Sequence, residues 1–193
     1  MFNNAIVLTG GIATGKSTVA RILKENGFNI IDADEISHKI LDENHEKISK
    51  LFGTEYVFNK KVQRKKLGSL IFSNKKEKEK LENLLHPLIK EKILLFSKVY
   101  EKNNEVYLID IPLFFENKTY NIKKSILVYA TKEQQFQRLI KRDKFNSNDA
   151  LARIDSQIDI NEKKLLATYI IDNTNNIDDL KKEVTKIKEI ITK

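Results

Sequence analysis

Four residues near the start of the chain have the types and the spacing of a phosphate-binding loop. The pattern G-x-x-x-x-G-K-[ST] is met by Gly10, Gly15, Lys16 and Ser17, between an apolar run and an amphipathic helical pattern. Glycine lets the backbone bend around a phosphate chain, and the first turn of a helix adds unpaired N–H groups. We therefore expect nucleoside-triphosphate binding, with Lys16 at the β- and γ-phosphates and the Ser17 hydroxyl on Mg²⁺. The alternative is an ordinary turn from strand to helix, with Lys16 as a solvated surface charge.

Two aspartates lie where a second apolar run ends. Asp32 and Asp34 follow residues 28–31, which have the pattern of a short strand after the first helix. A strand–helix–strand unit of this length is parallel, so its functional groups gather at the carboxyl ends of the strands, beside the loop. A carboxylate there can accept a proton from an attacking hydroxyl or hold Mg²⁺ through water. The alternative for Asp34 is capping of a helix that starts at Glu35.

A third carboxylate, Asp110, ends an almost wholly apolar strand pattern over residues 105–110. A strand-end aspartate of this kind attends Mg²⁺ in phosphate-loop proteins. The alternative is that Asp110 only opens a turn before Pro112.

Arginines follow the fourth strand pattern, over residues 125–130. Thr131 and Gln134 form a capping box for a helix on which Arg138 and Arg142 lie one turn apart. Two guanidinium groups can clamp phosphate oxygens or stack on a base, whereas an ordinary amphipathic helix carries arginines there only for solvation.

The segment after these arginines has the composition of a mobile lid. Residues 143–146 are a polar break, and Ser147 is predicted to cap a helix that presents Arg153 and Gln157 one turn apart. The chain then closes with a fifth strand and an amphipathic helix, predicted over residues 169–172 and 177–191.

Residues 35–103 contain mainly helical apolar spacings. This stretch is much longer than a minimal crossover between parallel strands, which indicates a helical substrate-binding lobe. Its breaks are predicted at Gly53, Asn59 and Asn74. A further helix is predicted to begin at His86-Pro87, with Pro87 in the first turn. Arg64 and His86 are candidate substrate ligands, or else ordinary surface side chains.

The composition of the chain narrows the classes of protein function that remain possible. A net charge of +8 would suit a nucleic-acid binder, but the lysines are scattered or interleaved with glutamates, as over residues 75–80. Positive potential also suits an enzyme with two polyanionic substrates. The chain has no cysteine, no zinc-ligand spacing among its three histidines, no leader pattern and no apolar run of bilayer length. We expect a soluble, cytoplasmic monomer of one domain that binds neither nucleic acid nor membranes.

Among phosphate-loop proteins, a small kinase fits the pattern best. The Asn-Lys pairs at Asn59, Asn74 and Asn117 lack the aspartate of a guanine-reading Asn-Lys-x-Asp, and a motor needs a longer chain. A small kinase needs a loop, a base near the γ-phosphate, a lobe for the acceptor and arginines on a lid. The chain offers candidates for all four.

Taken together, the motifs resemble those of the dephospho-CoA kinase family over nearly the whole chain. They occupy residues 9–18, 31–34, 85–89, 110–116, 138 with 141–143, 153 with 157, and 171–173. The double-glycine loop, Asp-Ala-Asp and Leu-His-Pro-Leu-Ile, in this order, distinguish this family from nucleotide kinases of similar size. The resemblance implies transfer of the γ-phosphoryl group of ATP to the ribose 3′-hydroxyl of dephospho-CoA, the last step of coenzyme A synthesis.

The resemblance also implies an α/β architecture, the P-loop NTPase-type three-layer fold with a five-stranded parallel sheet. The core is expected at about residues 1–34, 104–136 and 168–193, a helical CoA-binding lobe at about 35–103, and a lid at about 137–167. ATP and Mg²⁺ are the implied cofactors, and dephospho-CoA is the implied partner substrate.

The resemblance also implies roles for individual residues of this chain. Asp34 matches the general base, Lys16 the phosphate-binding lysine, Arg142 a lid arginine on the phosphates, and Arg138 the residue that flanks adenine. Nucleotide binding is further assigned to Gly11, Ala13, Thr14, Gly15, Ser17, Thr18 and Asn173, and acceptor binding to Asp32, Asp34, Arg64, His86 and Asp110.

Two departures from the family pattern involve three positions. Glycine is usual at Ala13, with serine commoner than Thr14 beside it, and aspartate is frequent at Thr168. An alanine loses freedom at positive φ, so the loop is expected to be slightly less adaptable.

Overall fold

The computed structural model describes residues 2–117 and 119–192, so Met1, Lys118 and Lys193 of the predicted core lie outside the described residues. The chain divides into two compact units. The first comprises the residues up to Ile31 and those from Val99 onward, and the second is Asp32–Lys98. The helices and strands, in chain order, are β1 (Ala5–Gly10), α1 (Lys16–Glu25), β2 (Ile30–Asp32), α2 (Ala33–Glu43), α3 (His45–Phe52), β3 (Val57–Phe58), β4 (Lys61–Val62), α4 (Arg64–Ser73), α5 (Lys75–Lys102), β5 (Tyr107–Asp110), β6 (Lys124–Tyr129), α6 (Lys132–Asp143), α7 (Ser147–Asp155), α8 (Ile160–Leu166), β7 (Tyr169–Asp172) and α9 (Ile177–Ile191).

A five-stranded sheet of order β2-β5-β1-β6-β7 forms the centre of the first unit. β1 pairs in parallel with both β5 and β6, and β6 pairs in parallel with β7. All six residues of β1 are buried, as expected of a central parallel strand covered on both faces. The predicted α/β class with a five-stranded parallel sheet and flanking helices is therefore confirmed.

One face of this sheet packs against α1 and α9. Ile6 and Leu8 of β1 belong to a cluster of buried side chains, while Val7 between them points to the other face. The cluster also contains Leu23 of α1 and Val184 of α9. The apolar stripes of the two helices thus fix α1, and with it the end of the phosphate loop, on the sheet.

The first helix ends as the glycine in its sequence predicts. Gly27 has a φ of 89°, and its N–H bonds the carbonyl of Lys24. The N–H of Phe28 reaches back to Leu23, which completes the pair of bonds of a Schellman motif. Phe28 is 8% exposed, so its ring holds the chain reversal against the core before β2 begins.

The second unit is mostly helical, but it also contains a hairpin. β3 and β4 pair antiparallel across Asn59 and Lys60, which have φ values of 48° and 60°. Two consecutive residues with positive φ are typical of a type I′ turn. The predicted break at Asn59 is therefore a hairpin turn.

The prediction that a helix begins at Pro87 is wrong. Pro87 lies inside α5, a single helix of 28 residues. Proline removes one backbone hydrogen bond there. However, Leu81, Leu85 and Ile93 are buried at four- and eight-residue spacing along the same helix. Burial of this continuous face on both sides of Pro87 outweighs the lost bond. No helix of the described residues is both long enough and apolar enough to cross a membrane.

In the segment predicted to be a lid, about residues 137–167, two further predictions differ from the structure. Asn146, not Ser147, caps α7, since its side chain accepts a hydrogen bond from the N–H of Asp149. Gln157 follows the end of α7 and is not on it, so it does not share a helical face with Arg153. The helix α8 was not predicted at all.

Candidate active site

The phosphate loop, residues 10–17, joins β1 to α1 in a conformation that its sequence makes possible. Gly15 has a φ of 94°, and a Cβ atom there would lie 2.2 Å from Nδ2 of Asn173. Ala13 also has a positive φ, 57°, a conformation that costs a non-glycine residue about 1–2 kcal/mol. The constraint expected for alanine at this position is thus present.

Side chains from distant parts of the first unit hold the loop backbone in place. The carbonyl oxygen of Thr14 accepts hydrogen bonds from Asn173 Nδ2 at 2.7 Å and from Arg138 at 3.4 Å. The N–H and C=O groups of a planar trans peptide point to opposite sides, so the N–H of Gly15 faces away from Asn173. On the other part of the loop, Gln157 Oε1 accepts from the N–H of Ile12 at 2.9 Å. The direction of the loop N–H groups is therefore fixed by the fold.

Lys16 and Asp110 lie together at the carboxyl ends of β1 and β5. The Lys16 ammonium is 2.5 Å from Oδ1 of Asp110. Asp110 is only 6% exposed, whereas the ammonium-bearing side chain of Lys16 is 19% exposed. The alternatives of a plain turn residue and a solvated lysine do not fit this buried contact. The pair places a strand-end carboxylate directly beside the lysine of the phosphate loop.

Arg138 and Asn173, two predicted nucleotide ligands, are also in contact. One terminal nitrogen of Arg138 donates to the carbonyl oxygen of Asn173 at 2.8 Å, and the other reaches Thr14. The helix α6 that presents Arg138 starts with the predicted capping box of Thr131 and Gln134. The fold thus brings Arg138, the arginine that was predicted to flank adenine, to the edge of the phosphate loop.

Arg142, the predicted lid arginine, is not brought to the loop. Its guanidinium group donates two hydrogen bonds to the carboxylate of Asp143, at 3.0 and 2.8 Å. The same contact raises the pKa of Arg142 and lowers that of Asp143. The Arg142 side chain is 62% exposed, so the pair lies in solvent at the end of α6.

Four predicted acceptor ligands, Asp32, Asp34, Arg64 and His86, belong to the second unit. Asp32 caps α2, because its Oδ1 accepts a hydrogen bond from the N–H of Glu35 at 2.9 Å. The alternative that Asp34 caps this helix is therefore wrong, and Asp34 is an exposed residue in its first turn. Arg64 is the exposed first residue of α4, and His86 is exposed on α5.

Besides Gln157, three further residues at or beside the phosphate loop were not predicted as site residues. They are Glu116, Gln135 and Lys163. A Cβ atom on Gly11 would lie 2.6 Å from Oε1 of Gln135, a buried residue of α6. Lys163 of α8 donates to the carbonyl oxygen of Gly10 at 3.3 Å and pairs with Glu116 at 2.6 Å. Glu116 ends the motif 110–116, but the run Glu162-Lys163-Lys164 has the composition of a solvated helix and gave no signal.

A glycine-rich loop between the central parallel strand and a helix, with a lysine beside a strand-end aspartate, defines a P-loop nucleotide-binding α/β protein. A solved shikimate kinase from Acinetobacter baumannii shares this fold, with a TM-score of 0.54 at 17% identity over 98% of this chain and 93% of that one.

Comparison by sequence is more specific. The family model described as dephospho-CoA kinase matches residues 4–179. A dephospho-CoA kinase from Sulfurimonas denitrificans is 50% identical over 190 residues, which cover 98% of this chain and 95% of that protein. A solved dephospho-CoA kinase from Campylobacter jejuni is 42% identical, with a TM-score of 0.75 and 98% of each chain covered. The chain belongs to the dephospho-CoA kinase family, as its motifs predicted.

Proposed function

We propose that this chain transfers the γ-phosphoryl group of ATP to the ribose 3′-hydroxyl of dephospho-CoA, which completes coenzyme A. The observation that carries this proposal is the phosphate loop with its lysine and fixed backbone, in a member of this family. A net charge of +8 is consistent with two polyanionic substrates.

The loop suits the triphosphate of ATP together with Mg²⁺. α1 begins at Lys16 with no side-chain hydrogen bond at its N-cap, Gly15. The N–H of Thr18 bonds the carbonyl oxygen of Gly15, so the N–H groups of Lys16 and Ser17 are the first-turn donors proposed for an anion. Lys16 binds the β- and γ-phosphates, and the Ser17 hydroxyl holds Mg²⁺. When bound, the metal ion neutralises charge on the phosphate oxygens. The remaining nucleotide ligands are Gly11, Ala13, Thr14, Gly15, Thr18, Arg138 and Asn173.

Asp34 is the proposed general base, and Asp110 is a further proposed acceptor ligand. Asp34 accepts the proton of the 3′-hydroxyl while the 3′-oxygen of the ribose attacks the γ-phosphorus of ATP. The bond between that phosphorus and the oxygen of the leaving ADP breaks. Because Asp32 already caps α2, the carboxylate of Asp34 is not required for capping. Asp32, Arg64 and His86 contribute to acceptor binding.

Lid closure completes the site. Arg142 leaves Asp143 and stabilises the charge that develops on the transferring phosphoryl group. We further propose that the enzyme acts as a monomer in the cytoplasm, without nucleic-acid or membrane partners.

Asp34→Asn tests the assigned base. Removal of the proton acceptor should lower kcat by about 10²–10⁴-fold while the KM for ATP stays within about twofold. The matched control is Glu35→Gln, which removes the neighbouring exposed carboxylate of the same turn and should leave kcat within about twofold. Wild-type turnover in Asp34→Asn would remove Asp34 from the mechanism.

An acceptor panel tests the reaction itself. The wild-type chain is incubated with MgATP and dephospho-CoA, AMP, adenosine or shikimate, and the products are separated by chromatography. Dephospho-CoA should be phosphorylated at least about 10²-fold faster than the other acceptors. Failure to phosphorylate dephospho-CoA would refute the proposed function.

A further inference from the structure

Lys163 is the most deeply buried charged side chain in the described part of the chain. Its exposed fraction is 0%, compared with 6% for Asp110. Nζ lies 2.6 Å from Oε1 of Glu116 and donates to the carbonyl oxygen of Gly10 at 3.3 Å. The first contact compensates the charge of the ammonium, and the second reaches the first peptide group of the phosphate loop.

Stability alone is a poor explanation for this buried pair. Removing two charges from water often costs more than their attraction returns, so apolar side chains of similar volume are commonly as stable or more stable. Glu116 adds to the cost, because its Oε2 is buried and has no hydrogen-bond partner among the described residues. A role in positioning the loop accounts for what stability does not.

The contacts of Lys163 constrain the loop backbone directly. No peptide bond of the described residues is cis, and in a trans peptide the C=O of Gly10 and the N–H of Gly11 point in opposite directions. The ammonium group therefore sets the direction of the Gly11 N–H. Gln157, six residues before Lys163, accepts the N–H of Ile12 at 2.9 Å. One short segment, residues 157–163, thus fixes two peptide groups at the start of the loop.

We propose that Lys163 is a positioning residue for ATP binding, with Glu116 as the counter-ion that keeps its charge compensated. Lys163 acts through the backbone of the phosphate loop and does not itself touch the phosphates. The proposal rests on the function proposed above for this loop. A loop that is already in its binding conformation loses less conformational entropy when the nucleotide binds, so its affinity for the nucleotide is higher.

Lys163→Met removes the ammonium group and keeps an unbranched side chain as long as the aliphatic part of lysine. The Kd of a non-hydrolysable MgATP analogue, measured by calorimetry, and the KM for ATP should both rise about tenfold, the effect of losing one hydrogen bond from a charged donor. The KM for dephospho-CoA should stay within about twofold, because the polar partners of Lys163 among the described residues are Glu116 and the carbonyl oxygen of Gly10, and neither is assigned to the acceptor. Lys164→Met is the matched control, since Lys164 is exposed and contacts the Tyr129 ring instead, and both constants should be unchanged.

The double variant Glu116→Gln/Lys163→Met separates positioning from stability. Lys163→Met alone leaves the Glu116 carboxylate buried without its cation, which should lower the thermal midpoint. Adding Glu116→Gln removes that charge and should raise the midpoint toward the wild-type value, while nucleotide affinity stays about tenfold weaker. If Lys163→Met alone does not fold, nucleotide affinity is measured on the double variant instead.

Two results would overturn the role of Lys163. One is wild-type nucleotide affinity in Lys163→Met, and the other is recovery of affinity together with stability in the double variant. A wild-type chain that binds no ATP would refute the proposed function as well, so the two failures are distinguishable.

Discussion

The phosphate loop and the arginine at the end of α6 are both assigned to the phosphates of ATP, yet the fold treats them in opposite ways. The loop is held by residues far away in the sequence, including Asn173, Gln157 and Lys163. Among the described residues, the side chain of Arg142 donates hydrogen bonds to Asp143, its immediate neighbour, and most of that side chain is in solvent. The loop is therefore held in place before ATP binds, whereas Arg142, in the role proposed for it, must leave a partner to reach the phosphates.

This difference separates two contributions to catalysis. Fixed donors in a buried site interact strongly with charge, since they need no reorganisation when the substrate arrives. An exposed arginine on a lid supplies its charge only after closure, which also lets substrates enter and products leave. Changes in the loop should therefore affect nucleotide affinity and stability together, and changes at Arg142 should affect turnover alone.

The largest effect is expected from Gly15→Ala, which would disturb the fixed conformation of the phosphate loop. The new Cβ atom would lie 2.2 Å from Asn173 Nδ2, and alanine is strained at a φ of 94°. Asn173 must then give up its bond to Thr14, so the loop loses its conformation. We expect a loss of about 2–3 kcal/mol in the free energy of unfolding and a fall of about 10³-fold in kcat/KM for ATP.

Gly27→Ala is the control for backbone strain. Gly27 has a similar φ of 89°, but a Cβ atom there would meet nothing within 4 Å. We expect a loss of about 1–2 kcal/mol in stability with kcat/KM within about twofold. Equal losses of activity in both variants would contradict the role of the Asn173 contact.

An intermediate effect is expected from Arg142→Ala, which tests the proposed contribution of Arg142 to turnover. Loss of one stabilising cation in the transition state should reduce kcat about 10²-fold. The melting temperature should change by less than about 2 °C, because the side chain is exposed. Steady-state kinetics and thermal unfolding of the same sample check both values.

Arg21→Ala is the matched control for Arg142→Ala. Arg21 is an exposed arginine of α1 that forms an ion pair with Glu25, four residues along the same helix. Its removal should leave kcat within about twofold and the melting temperature within about 2 °C. A similar fall in kcat in both variants would show that general surface charge, and not Arg142, is responsible.

The fixed region was largely predictable from the sequence. The loop motif, the apolar strands around it and the capping box of α6 are local signals. The loop and the capping box lie where their patterns placed them, and β5 and β6 begin within two residues of their predicted starts. Asp110 could be expected near Lys16 because parallel strands bring their carboxyl ends to one edge. These predictions succeeded because residue type and spacing alone determine the local structure.

Other features depend on partners that no local pattern reveals. Lys163 is buried only because Glu116, 47 residues earlier in the chain, is there to compensate its charge. Pro87 stays in a helix because the buried face of α5 continues across it. The hairpin at Asn59 has strands of two residues each, too short for any periodicity to be visible.

The smallest effect is expected from Asp143→Asn, which sharpens the view of Arg142 as a residue that must first leave its partner. The pair is exposed, and such pairs contribute little, so weakening it should raise kcat by about fivefold at most. The gain should shrink as salt is added, because screening weakens the wild-type pair as well. In the background of Arg142→Ala the same change should have no effect on kcat, since Asp143 then has no arginine at this position to hold. A gain in kcat that persists without Arg142 would mean that Asp143 acts on another group. Release of Arg142 from Asp143 would then not be the step that limits turnover.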